Sequence, residues 1–205
     1  MLIEPLSIEG AFRITPKQFP DSRGLFLEAF KQETFVAAVG RELDVQQVNT
    51  SVSKAGTVRG IHFADVPPSQ AKYVMCPQGA LLDFVVDIRV GSPTFGQYES
   101  VLLDDTDRRA IFISEGLGHA FIALEDNTVA TYLCSAPYAP GREHGVKPTC
   151  STLGIPWPTV DRAGNPMELL LSEKDTAAPG LRTAQEQGLL PSYDEAMAFI
   201  DSLRK

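Results

Sequence analysis

Apolar and polar residues alternate with period two in a series of short runs: Ala11 to Thr15, Gln46 to Ser53, Val58 to Phe63, Lys72 to Cys76, Leu81 to Arg89, Tyr98 to Leu103, Ala110 to Ile113, Ala120 to Leu124 and Thr128 to Cys134. Gly, Pro, Asp and Asn punctuate them at Pro77-Gln78-Gly79, Gly91-Ser92-Pro93, Asp104-Asp105 and Asp126-Asn127. Many short strands at this spacing predict an all-β sandwich or barrel of the jelly-roll type. Helical periodicity enters twice. One helix is expected around Lys31 to Val39. A second closes the chain, where Ser192 and Glu195 have the spacing of a capping box and Ala196, Phe199, Ile200 and Leu203 recur at helical intervals. The Pro- and Gly-rich stretch from Pro137 to Pro166 reads as a long excursion over the barrel surface, a candidate lid or binding loop. With no repeat, low-complexity segment or linker, residues 1–205 are expected to form one domain ending in the C-terminal helix.

Composition narrows the function classes. The chain has 205 residues, 43% of them hydrophobic, and a net charge of -8, enough to bury a full core. That acidic balance argues against a nucleic-acid role built on phosphate neutralisation. No apolar run approaches the roughly 20 residues of a membrane span, and the N-terminus lacks the regions of a signal peptide, so no membrane role and a cytoplasmic location are expected. Cys76, Cys134 and Cys150 are odd in number and lack C-x-x-C spacing, which suggests packed, reduced thiols and neither a disulfide framework nor a zinc site.

The chemistry-bearing run is Val58-Arg59-Gly60-Ile61-His62-Phe63, followed ten residues after the histidine by Lys72. Strand alternation puts Val58, Gly60 and His62 on one face and Arg59, Ile61 and Phe63 on the other. His62 among small neighbours is thus a candidate proton-transfer residue, and Lys72 a nearby fixed cation.

Several runs, in order over roughly residues 5 to 190, resemble the dTDP-4-dehydrorhamnose 3,5-epimerase family of cupin-type barrels. They are Asp21-Ser22-Arg23-Gly24, Gln47-Val48-Asn49, Val58-Arg59-Gly60-Ile61-His62, Ala71-Lys72-Tyr73-Val74, Asp87-Ile88-Arg89 with Ser92-Pro93-Thr94-Phe95-Gly96, Gly116-Leu117-Gly118-His119-Ala120-Phe121, and Leu171-Ser172-Glu173-Lys174-Asp175. Within the family the chain looks most similar to the branch making deoxysugars for secondary metabolites, whose members epimerise one centre or two. The resemblance implies a double-stranded β-helix, a homodimer, and a dTDP-4-keto-6-deoxyhexose substrate handled without cofactor or metal.

The implied reaction removes a hydrogen beside the C4 ketone to give an enolate, then returns a proton from the opposite face. By resemblance His62 is the base, with an unperturbed pKa near 6.5. Asp175 holds its tautomer, Lys72 meets the oxyanion, and Tyr132 is the acid across the ring. The resemblance likewise makes Arg23, Arg59 and Glu28 grips for the nucleotide and pyrophosphate, and Gln47 and Asn49 readers of the thymine edge. Phe19 offers an aromatic face to the base. His119, Tyr138, Glu143 and Lys174 contact the ligand, and Asp83 orients His62 or His119 without touching substrate.

Each role has a plainer rival. Asp175 is equally placed to cap a helix, Tyr132 to pack inside the barrel, Lys72 to be a solvated strand lysine, and Arg23 and Arg59 to make surface salt bridges. Asp83 is equally a buried partner for a barrel histidine. The chain departs from the family pattern at Thr50-Ser51-Val52-Ser53-Lys54 and at Gly154-Ile155-Pro156-Trp157-Pro158. Read as near the sugar, these departures leave the number of inverted centres open and favour carbon 3. A metal-dependent dioxygenase needs clustered histidines and a carboxylate, whereas Phe63 and Ala64 follow His62 and the other histidines are His119 and His144. A noncatalytic sugar-nucleotide-binding cupin has no need of a base and an acid on opposite faces.

Overall fold

The computed structural model describes residues 1–204. In chain order the elements are β1 (Leu2–Pro5), β2 (Ala11–Thr15), β3 (Gln18–Asp21), β4 (Gly24–Leu27), α1 (Gln32–Val39), β5 (Gln47–Ser53), β6 (Val58–Ala64), β7 (Lys72–Gln78), β8 (Ala80–Val86), β9 (Tyr98–Asp104), β10 (Ala110–Ile113), β11 (Gly118–Ala123), β12 (Thr128–Cys134), β13 (Glu143–Gly145), α2 (Glu173–Ala177), α3 (Leu181–Glu186) and α4 (Tyr193–Ser202). A six-stranded sheet has the order β1-β2-β10-β7-β12-β5 and a five-stranded sheet the order β13-β6-β11-β8-β9. Neighbouring strands such as β7 and β10, β7 and β12, and β8 and β11 pair antiparallel. This is the expected all-β jelly-roll, the sheets facing each other across a shared interior.

Alternation assigns each strand residue to a layer. Val74, Leu81, Val85, Ile111, Ile113, Phe121 and Ala130, drawn from both sheets, form the buried cluster between them. On the far side of the six-stranded sheet, Tyr73, Ala110 and Phe112 pack against Phe35 of α1 and Leu43. On the far side of the five-stranded sheet, Phe84, Val86 and Ile122 are covered by Val146, Cys150, Leu153, Ile155 and Leu181. The Pro- and Gly-rich stretch expected as a lid is therefore mostly a packed cover. Its Trp157 ring lies 4.7 Å from that of Phe84 and donates its indole N–H to Pro148 O at 3.0 Å.

The strand expected to run on to Arg89 stops at Val86 because the next residues make a buried polar knot. Asp87 accepts from Arg89 Nε at 2.9 Å and Nη2 at 2.8 Å, and from Ser92 Oγ and Thr94 Oγ1 at 2.6 Å each. Arg89 also donates to Glu9 O at 3.1 Å and lies 5.1 Å from the ring centre of Tyr193 in α4. A motif that carried the family resemblance thus anchors the C-terminal helix. α4 starts as its pattern predicts, with Ser192 Oγ accepting from the Glu195 amide at 3.5 Å.

One element stands apart. β3 and β4 pair only with each other, as a two-stranded arm, and it exposes Phe19, Leu25 and Phe26, the last 66% accessible. The edge strand β5 also inverts the usual pattern. Gln47, Asn49 and Ser51 turn inward, while Val48 and Val52 are 56% and 60% exposed.

Candidate active site

β6 does not keep the even alternation expected of it. His62 stands opposite His119 and Arg59 opposite Phe121, so three steps of β6 match two of β11. This β-bulge resets the face. Ile61 and Phe63 join the outer cluster together with Val58, and Arg59 and His62 together line the interior cavity, which Val58 also borders, so the strict His62–Gly60–Val58 face read from the sequence gains Arg59. Gly60 makes the turn possible. Its φ is +120°, and a Cβ there would lie 2.4 Å from His119 O, so no side chain fits.

The cavity between the sheets holds about 410 Å³ and is lined by Arg59, His62, Lys72, His119, Tyr132, Lys174 and Asp175, with Thr57, Val58, Phe121 and the segment Leu170 to Ser172 completing the wall. His62 and Arg59 come from β6 and His119 from β11, all on the five-stranded sheet. Lys72 from β7 and Tyr132 from β12 belong to the six-stranded sheet. The histidine and the tyrosine therefore approach the same space from opposite walls.

Asp175 arrives on α2, whose start Ser172 caps by accepting from the Asp175 amide at 3.0 Å. The Asp175 carboxylate uses both oxygens, accepting from His62 Nε2 at 2.6 Å and from Ser172 Oγ at 2.8 Å. Because a carboxylate only accepts, Nε2 carries the proton and Nδ1 is left as the basic atom. The cap is therefore Ser172 and not Asp175, which lies inside α2 and turns its carboxylate to the histidine. Ser172 and the wall residues Leu170 and Leu171 were not singled out from the sequence, although Ser172-x-x-Asp175 has capping-box spacing.

A second pair sits beside the first: His119 Nε2 donates to Asp83 Oδ2 at 2.8 Å, with Asp83 fully buried. Asp83 serves His119 and not His62. Among the described residues no three His, Cys, Asp or Glu side chains converge as metal ligands.

Burial tunes the titratable groups. It holds the Lys72 ammonium below the ordinary lysine range, against the opposing pull of Cys134, Glu143 and Asp83, so Lys72 is not a freely solvated strand lysine. Burial raises the Tyr132 phenol, which keeps it protonated at neutral pH despite the nearby Arg59. Burial pushes Asp175 upward too, but hydrogen bonds from His62 and Ser172 outweigh it and leave the carboxyl below its usual value.

Other candidate residues lie outside this cavity. Gln47 and Asn49 sit on β5 directly opposite Cys134 and Tyr132 of β12. Gln47 donates to Asn49 at 2.7 Å and accepts from the Tyr138 amide at 2.9 Å, so these three form one polar strip beside the tyrosine. Glu143, on β13, lines a separate void with His62, Lys72 and His119. Arg59, which does line the cavity, donates to Ser53 Oγ at 3.2 Å. Phe19 and Arg23 lie on the arm and Glu28 just after it, where Arg23 pairs with Asp21 at 2.6 Å in full view of solvent. Of the two departures from the family pattern, only the first hydrogen-bonds to a cavity residue, Ser53 accepting from Arg59. Thr50 lies on the exposed side of β5, 3.2 Å from Thr131, and Trp157 lies in the outer cover.

Comparison with known proteins places this geometry. A family model described as dTDP-4-dehydrorhamnose 3,5-epimerase matches residues 5–183. The dTDP-4-dehydrorhamnose 3,5-epimerase of Mycolicibacterium smegmatis is 56% identical over 205 residues, covering 100% of this chain and 98% of that protein. The solved epimerase of Mycobacterium tuberculosis superposes with a TM-score of 0.94 at 52% identity, covering 100% of both chains. A 3'-monoepimerase from Streptomyces bikiniensis, solved in complex with dTDP-quinovose, superposes with a TM-score of 0.93 at 46% identity, covering 98% of both chains. With a family match over most of its length and relatives of this identity across the whole of it, the chain belongs to the dTDP-4-dehydrorhamnose 3,5-epimerase family and is an isomerase.

Proposed function

We propose that the chain epimerises dTDP-4-keto-6-deoxy-D-glucose at carbon 3, as a single cytoplasmic domain acting in a homodimer. The observation that carries this reading is the placement of His62 and Tyr132 on opposite walls of one cavity, with Lys72 between the sheets beside them. His62 Nδ1 takes the proton beside the ketone, and Asp175 balances the imidazolium that forms. Lys72 meets the charge gathering on the carbonyl oxygen with a cation already in place and little water to reorganise. Tyr132 returns a proton to the other face, which inverts the centre. Arg59 at the mouth suits a phosphate oxygen, and the amides of Gln47 and Asn49 suit a thymine edge.

The dimer is supported by the arm and the edge strand. Phe19, Leu25 and Phe26 on the arm, with Val48 and Val52 on β5, expose apolar surface that a second copy would cover. In such a dimer Phe19, Arg23 and Glu28, which have no place in their own cavity, reach the neighbouring subunit's site. Light scattering is expected to give twice the 22.3 kDa chain mass, and a Phe26→Asp variant to elute as the monomer. A wild-type monomer would remove this part of the reading. The three cysteines are buried and free, which fits a reducing compartment. No helix among the described residues is long and apolar enough to cross a membrane.

Inversion of carbon 5 in the same site is the second reading. Identity to the 3,5-epimerases of Mycolicibacterium smegmatis and Mycobacterium tuberculosis, 56% and 52%, exceeds that to the 3-epimerases of Streptomyces niveus and Streptomyces bikiniensis, 50% and 48%. The departures at Thr50 and Trp157, which favoured carbon 3 alone, do not line the cavity. Turnover in deuterated water decides between them. Label at carbon 3 only, with an allo-configured product, establishes the one-centre enzyme. Label at both carbons with an L-sugar product makes the chain a 3,5-epimerase, and no label at either carbon overturns the proton-abstraction reading.

A further inference from the structure

We infer that Ser172 is a positioning residue for the reaction: by holding Oδ2 of Asp175 it fixes the carboxylate against His62, and so fixes which ring nitrogen is free to take a proton. The inference rests on the proposed role of His62 as the base and extends that role by one residue.

The His62 ring needs such a support. Its side chain is 35% exposed, and its ring makes one hydrogen bond among the described residues, from Nε2 to Asp175 Oδ1 at 2.6 Å. That single bond decides the tautomer, since a proton on Nδ1 in place of Nε2 would remove the base. Asp175 in turn rides on α2, whose five residues are too few to hold a helix by themselves. One hydroxyl supplies both supports. Ser172 Oγ accepts from the Asp175 amide at 3.0 Å and donates to Asp175 Oδ2 at 2.8 Å, while the Ser172 carbonyl accepts from Thr176 N at 3.0 Å and Thr176 Oγ1 at 2.9 Å.

A cap needs only the accepting half of that hydroxyl. The donating half ties Oδ2 to the residue that starts its own helix, so the carboxylate cannot turn without losing a bond. Asp175 is 5% exposed, and without Ser172 its Oδ2 is stranded where a carboxylate either rotates toward another donor or takes up a proton. Either change loosens the hold on Nε2.

Ser172→Gly separates the two halves, because Gly serves at an N-cap nearly as well as Ser but has no donor. Spectra of protein labelled with 15N in the histidine rings read the result without turnover. The chain has three histidines, and His62 is identified by the signals missing from His62→Asn. His119 and His144, bonded through Nε2 to Asp83 and Asp65 at 2.8 and 2.7 Å, are controls in the same molecule. The wild-type protein is expected to show neutral His62 with its proton on Nε2. Ser172→Gly is expected to show both neutral forms of His62 with the other two histidines unmoved, and Ser172→Thr, which keeps the hydroxyl, to restore the wild-type pattern. In turnover, Ser172→Gly is expected to lower kcat by about 10- to 100-fold, the range for losing an outer partner that orients an active group, with KM nearly constant.

A His62 signature identical to wild type in Ser172→Gly overturns the inference. So does movement of all three histidines together, which would give Ser172 a purely structural role. A roughly tenfold rise in KM at constant kcat overturns it too, by making the hydroxyl a substrate grip. Wild-type turnover in His62→Asn would instead count against the base itself, and the spectra would still decide what holds the ring.

Discussion

His62→Asn is expected to lower kcat by about 10² to 10⁴, the scale for losing a general base, while dTDP binds with nearly unchanged affinity. In barrier terms that is about 2.7–5.5 kcal/mol. The asparagine amide retains a hydrogen bond to Asp175 but has no basic nitrogen at neutral pH, so the loss isolates proton abstraction from packing. Product analysis gives kcat, and calorimetry with dTDP gives the affinity. Near wild-type turnover in this variant would defeat the proposed mechanism. A parallel collapse of dTDP affinity would show that the cavity itself had been disturbed.

The second large effect is on stability. Arg89→Met strips Asp87 of its bidentate partner in a place where both side chains have 0% exposure. Breaking a buried pair by removing one member costs about 3–5 kcal/mol, because the other charge is stranded. At about 2–4 °C per kcal/mol for a chain of this size, the melting temperature is expected to fall by about 6–20 °C. Restoring shape and polarity together in an Arg89→Met, Asp87→Leu double variant should recover part of the loss. A change under about 2 °C in the single variant would show that the knot is not structural. The same knot is acid-sensitive. Burial alone would raise Asp87, yet hydrogen bonds from Arg89, Ser92 and Thr94 hold it below 3.8. Its contribution is therefore complete above that value and is lost as pH falls through the lower folded one.

What could be read from the sequence depended on the length over which a pattern repeats. β2 and β12 lie where alternation puts them, because five and seven residues with one face more buried than the other leave little ambiguity. β1, β3, β4 and β13 are three or four residues long and carry too few positions to signal a period. β6 was located correctly but faced wrongly at Arg59, since strict alternation has no place for a bulge. Gly60 was the available warning. α2 and α3, of five and six residues, are too short for helical periodicity, and only Ser172 marked the first of them. The gathering of His62, Lys72, Tyr132 and Asp175 came from family resemblance, and no spacing rule joins residues 62 and 175. The arm residues were expected as ligand contacts only through that resemblance. Within one chain their side chains meet solvent.

All the strands of both sheets apart from β13 end by residue 134, yet the cavity wall is closed by Leu170 to Asp175, strapped to the start of β6 through Val58 N to Leu170 O at 2.9 Å and Leu170 N to Gly56 O at 2.8 Å. On the ribosome this order has a temporal meaning. The chain emerges from its N-terminus, so His62 and Tyr132 reach the folding barrel long before the carboxylate that completes the catalytic pair. A nascent chain can therefore present the strands proposed to read a nucleotide while it still lacks the proposed means to move a proton, which is complete only once the segment through Asp175 has emerged.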